Sequence, residues 1–170
     1  MRINRWLAIP AAAAVLAAGG TAPATAAPAR VSEQDRMFLK QNAQTDLAEI
    51  KLGQFMIEHT RDEKVHDFAV DVVKDHQKAL AQVRKLAHQM GVVLPTSPNA
   101  KQRMAAKVIM NSTAEQMNRR YASTEIAGHQ MSISDTRREL NNGRDPRVKK
   151  FARSYLPVAQ EHLHHARDLP

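Results

Sequence analysis

Residues 62–90 carry the feature that most restricts the fold of this chain. Val65, Phe68, Ala69, Val72, Ala79, Leu80, Val83, Leu86, Ala87 and Met90 recur at helical spacing and form one apolar stripe. A strand would need alternation every second residue, and no such run is present. Asp62 can cap this helix at its start, and Gly91 stops it. A face this long and continuous must be covered, so the rest of the chain has to supply partner helices.

It does so three times. Ser32 can cap a first helix running to about His59, with Leu39, Ala43, Leu47, Ile50 and Ile57 on its inner side and Phe38, Leu52 and Met56 widening the face. Ser112 with Glu115 reads as a capping box opening a third long helix, marked by Met117, Tyr121, Ala122, Ile126, Ile133 and Leu140 and closed by Asn141-Asn142-Gly143. Asp145-Pro146 starts a fourth, an N-cap followed by proline at the first helical position. Its inner residues are Val148, Phe151, Ala152, Tyr155, Ala159, Leu163 and Ala166, with Pro157 expected to kink it. Pro95 and Pro98 make residues 91–99 a loop, and 100–110 is at most a short amphipathic helix. The expected fold is all-α, a four-helix bundle over residues 32–169. The long connection between helices 2 and 3 allows either a ferritin-like crossover or simple up-down order.

The first residues read differently. Arg2 and Arg5 precede an apolar run from Trp6 through Ala18, and Ala24-Thr25-Ala26 is a small-residue cleavage site. This is the pattern of a secretory signal peptide, residues 1–26, followed by a flexible N-terminus, 27–31. The apolar run falls short of the roughly 20 residues that span a bilayer, and no other segment approaches it. The expected destination is the periplasm, or another compartment outside the cytoplasm, with no transmembrane segment in the mature chain. The absence of cysteine removes disulfides, thiolate metal sites and c-type haem attachment.

Charge narrows the partners. Losing Arg2 and Arg5 takes the net charge from +8 to +6, and the excess gathers at Arg137, Arg138, Arg144, Arg147, Lys149, Lys150 and Arg153. Export and the lack of interleaved aromatics argue against nucleic acid. An anionic envelope surface is one partner for this basic pole, and a solvated pole without ligand is the simpler reading. Self-association of the bundle stays open.

The chemistry-bearing residues are those that break the apolar stripes. His76 sits at the centre of the second helix's stripe, His129 on the third one turn after Glu125, and His162 on the fourth. Asp46 and Glu49 fall on the broad inner face of the first helix. Buried polar groups must be satisfied by each other, by water or by a metal. One reading is therefore a metal centre of His76, His129, His162, Glu49 and Glu125, with Asp46 as a further donor. Imidazole with carboxylate suits Fe, Zn, Cu or Ni. The other is a hydrogen-bonded polar layer that fixes helix register, joined by Tyr121 or Tyr155. An oxidising di-iron centre needs inward Glu-x-x-His pairs, and Glu161-x-x-His164 lies outside the stripe. Haem through Met56 or Met117 is disfavoured, because methionines at helical spacing usually fill cores. No phosphate loop, nucleophile elbow or inward Ser-His-Asp set is present, so catalysis is not expected.

Several pieces together resemble an exported bacterial family catalogued as a domain of unknown function, whose members are often labelled outer membrane proteins. They are Ala48-Glu49-Ile50-Lys51-Leu52-Gly53, Phe68-Ala69 with Asp75-His76, Gly91-Val92-Val93-Leu94-Pro95, Tyr121 with His129, and Phe151-Ala152 leading to Leu156-Pro157 and His162-Leu163. The likeness spans residues 33–169. Met117-Asn118 and Gln130 depart from acidic or aromatic positions usual there. The resemblance implies a ferritin-like crossover and no known reaction. On this reading the protein is a non-catalytic, stress-related envelope binding protein, with a metal-binding or redox protein and a binder of anionic polymers as alternatives.

Overall fold

The computed structural model describes residues 31–170. The expected signal peptide and nearly all of the short N-terminal segment therefore lie outside the described residues. The fold is all-α, with five helices and no strand among the described residues: α1 (Glu33–His59), α2 (Glu63–Gln89), α3 (Ala100–Met110), α4 (Ala114–Asn142) and α5 (Pro146–Ala166).

The helix boundaries follow from local chemistry. Ser32 and Asp35 form a capping box at the start of α1, and the Val65 N–H donates to Asp62 at the start of α2. Gly91, at φ 61°, ends α2 with the left-handed residue that terminates many helices. The Val92 N–H then reaches back to the Ala87 carbonyl at 2.8 Å, and its side chain is buried. One boundary differs from the sequence reading. Ser112 does not cap α4; its hydroxyl donates to the Val108 carbonyl at the end of α3, and Thr113 occupies the N-cap position without a side-chain bond. Glu115 instead pairs with Arg119 one turn on, at 2.7 Å. A serine between two helices can serve either, and here the preceding turn is closer.

Packing is most extensive along α1 with α2 and along α4 with α5; α2 also meets α5, α1 meets α4, and α3 touches both α1 and α4. At Gly53, a Cβ would come within 2.6 Å of Val73 Cγ2 and 3.3 Å of the Ala69 carbonyl oxygen, so α1 and α2 approach closely there only because glycine has no side chain.

The buried apolar residues form two clusters. One holds Phe38, Leu39, Ala43, Ala79, Leu80, Val83, Phe151 and Tyr155 among others; the second holds Leu52, Met56, Val65, Phe68, Val72, Met117 and Tyr121. Chain order through them gives the helix directions. α1 and α5 run from the first cluster to the second, whereas α2 and α4 run the opposite way. Because α2 and α4 are parallel, the connection between them must travel the length of the domain. It starts with Val92 in the first cluster and ends with Ile109 in the second, which is what α3 is for.

Candidate metal centre

Between the two apolar clusters lies a polar layer supplied by all four long helices. Asp46 comes from α1, His76 from α2, Glu125 and His129 from α4, and His162 from α5; all are buried. Glu49 is half-buried on α1, with its Oε2 inside. The residues that interrupt the stripes therefore meet at one level, and His59, His66, His88, His164 and His165 stay outside it. Met56 and Met117 lie in the second apolar cluster.

The three imidazoles stand 5.1–5.9 Å apart between ring centroids, and one ring nitrogen of each lies within 4.8 Å of the others. His76 and His129 each have their other nitrogen hydrogen-bonded. His76 Nδ1 donates to Asp46 Oδ1 at 2.8 Å, and its Nε2 has no partner. His129 Nδ1 lies 2.9 Å from the Glu125 backbone carbonyl, which can only accept, so Nδ1 carries the hydrogen and Nε2 is a bare acceptor. That Nε2 is 3.2 Å from His162 Nδ1, which donates to it. The Nε2 of His162 faces Asp75 Oδ2 at 3.4 Å, and Asp75 in turn meets Lys78 at 2.8 Å near the surface. Asp75 is the participant that the stripe pattern missed, since it sits beside the stripe at the polar edge of α2.

Charge in this layer is set by burial and proximity. Burial works against the charged form of His76, but the hydrogen bond to Asp46 and the charges of Glu49, Asp46 and Asp75 carry its pKa above the ordinary value. Burial raises the pKa of Asp46, partly offset by His76. Burial lowers that of His129, and it pushes His162 down to about 3 together with the neighbouring imidazoles. Glu125 is raised well above the carboxylate range by burial and by the Glu49 carboxylate beside it.

Many of the layer's atoms have no hydrogen-bond partner among the described residues: Asp46 Oδ2, Glu49 Oε2, His76 Nε2, both Glu125 oxygens, and the hydroxyls of Tyr121 and Tyr155.

A second buried polar group was not foreseen. Asp35 and Glu139 are fully buried where the start of α1 meets the α4–α5 turn. Asp35 accepts from the Ser32 backbone and hydroxyl and from the backbone N–H groups of Arg144 (3.0 Å) and Asp145 (3.1 Å). Gln34 donates to Glu139 at 3.1 Å. The Ser32-x-x-Asp35 spacing was a usable signal, as was the position of Glu139 on the face of α4 that carries Ile133 and Thr136. Of the basic pole, Arg137, Arg138, Arg144, Arg147, Lys150 and Arg153 are exposed and Lys149 half-buried. Arg138 is paired with Asp135 at 2.6 Å and Arg147 with Asp145 at 2.7 Å.

The molecule is thus an all-helical domain whose core is divided by a buried histidine and carboxylate layer. It belongs to the family described as Domain of unknown function (DUF4142), whose model matches residues 20–169. No curated protein matches the chain. Two solved structures share the fold. A DUF305 fragment from Deinococcus radiodurans is 19% identical, with a TM-score of 0.71 over 81% of this chain and 95% of that one. CopM in the Cu(I)-bound form is 12% identical, with a TM-score of 0.67 over 79% of this chain and 93% of its own. Among the described residues, no helix is long and apolar enough to cross a membrane.

Proposed function

We propose that the protein binds a transition-metal ion at His76, His129 and His162, in a ferritin-like four-helix bundle exported after removal of residues 1–26. The observation that carries this reading is the convergence of three buried ring nitrogens within 4.8 Å, one from each of three helices. A donor pair on a tetrahedral ion with metal–nitrogen distances of about 2.1 Å is about 3.4 Å apart, so the widest pair would close by at most about 1.4 Å. Parallel α2 and α4 with a long connection between them support the ferritin-like crossover.

The surrounding groups suit the task. A ligating histidine normally gives its other N–H to a carboxylate or carbonyl, which fixes the ring and its tautomer. Asp46 does this for His76 and the Glu125 carbonyl for His129. Asp75 would do it for His162 once that ring shifts its hydrogen from Nδ1 to Nε2. Nitrogen donors with carboxylates nearby favour a divalent ion such as Zn(II) or Cu(II), because the soft methionine sulfurs lie elsewhere. CopM, a structural neighbour solved with Cu(I), accords with a metal as occupant.

The test is elemental analysis of untagged mature protein from its native envelope fraction, beside a His76→Ala/His129→Ala variant. Near-stoichiometric metal that vanishes in the variant is the expected result. No metal in either form, with the variant merely less stable, would return the histidines to a polar layer that fixes helix register.

A further inference from the structure

The three histidines account for only part of the unpartnered buried polar surface. Both oxygens of Glu125, Oε2 of Glu49 and the Tyr121 hydroxyl are also buried without a partner among the described residues. These atoms are oxygens, and they come from facing helices. Glu49 lies on α1, Glu125 and Tyr121 on α4. A Cβ on Gly128, three residues beyond Glu125, would lie 3.5 Å from Glu49 Oε1, so the Glu49 carboxylate rests against this stretch of α4. Tyr121 is one turn before Glu125 and fully buried.

We propose that a second cation, held by oxygen, binds between Glu49 and Glu125 with the Tyr121 hydroxyl at its edge, beside the histidine ion. This rests on the histidine reading only in sharing its polar layer. A buried carboxylate and a half-buried one facing each other repel unless a proton or a cation lies between them. A shared proton joins one oxygen of each group. The Tyr121 hydroxyl can turn to another Glu125 oxygen, but one negative charge then stays in the layer without a counter-charge. A dication bridging both carboxylates engages more of these atoms and cancels both charges. Oxygen-only donors select a harder ion than the imidazoles do, of the Mn(II) or Mg(II) kind.

The experiment uses the full mature chain loaded with one equivalent of Zn(II), then titrated with Mn(II). Free Mn(II) is followed by its electron paramagnetic resonance signal. One further equivalent of Mn(II) should bind, and Glu125→Gln should abolish this uptake while leaving the Zn(II) in place. Helicity by circular dichroism checks the fold; should Glu125→Gln not fold, half-buried Glu49→Gln gives the same reading. Zinc retained with no manganese uptake by the unmodified chain overturns the second site and leaves the histidine site standing. Manganese uptake undiminished in both variants puts the ion elsewhere and also overturns it. Failure to hold either ion overturns both sites.

Discussion

Two buried polar regions of the same molecule are built on opposite plans. At the junction of α1 with the α4–α5 turn, the Asp35 carboxylate is saturated, with donors from Ser32, Arg144 and Asp145 on both oxygens. In the central layer, Glu125 has neither oxygen bonded and His76 keeps a bare nitrogen. Burial raises the pKa of any carboxyl, yet Asp35 ends below its ordinary value because those donors outweigh burial, whereas Glu125 ends far above it. A buried acid kept for architecture is surrounded by donors. Glu139 at the junction stands between the two, with one oxygen bonded to Gln34 and the other open, and on the proposed reading the open lone pairs of Glu125 would be met by a cation.

Replacing an acid by its amide separates the two plans. Asp35→Asn should have the largest effect, a loss of about 2–3 kcal/mol in denaturant unfolding, because its amide NH2 must then face donors that need an acceptor. A loss no greater than that of an exposed substitution would erase the contrast. Glu139→Gln should have an intermediate effect that depends on pH. Burial and the Asp35 charge raise the Glu139 pKa from its ordinary 4.5 to about 7, against the opposing bond from Gln34. Folding therefore favours the protonated form. That stabilisation is complete below 4.5 and drains away as pH climbs to about 7. The melting temperature of the unmodified protein should fall across this window, and that of Glu139→Gln should fall less, the remainder coming from Glu125 and Asp46, whose pKa values burial also raises. The smallest change is expected for Glu125→Gln in metal-free protein, within about 1 kcal/mol of the original, since a buried acid that burial already holds in its neutral form is exchanged for a neutral amide of similar shape. A large loss there would mean that Glu125 is architectural after all.

The sequence carried the central layer better than the junction, for a physical reason. His76, His129 and Glu125 each interrupt an apolar stripe near the middle of a long helix, where periodicity is strongest and the inward direction unambiguous, and His162 interrupts one in the last two turns of α5, between Tyr155 and Ala166. Asp35 sits in the first turn of α1, a position where acids are common simply because they complement the helix dipole, so its burial leaves no trace in the pattern. Its partners Arg144 and Asp145 contribute backbone N–H groups, which every residue has and no sequence advertises. The start of α4 failed similarly. Ser112 and Glu115 have the capping-box spacing, but the hydroxyl had a nearer acceptor in the turn before it.

The spacing of the three central histidines along the chain has a consequence for the life of the protein. His76, His129 and His162 lie on three different helices, the last two 33 residues apart, so they are joined only by long loops. No short stretch of unfolded chain gathers them, and closing such loops costs entropy that helix packing must supply first. On the proposed reading, loading with metal would come last, after the four helices have found one another. A polypeptide threaded unfolded through a membrane would carry no cargo across, and its occupant would be chosen by whatever ions are free on the far side.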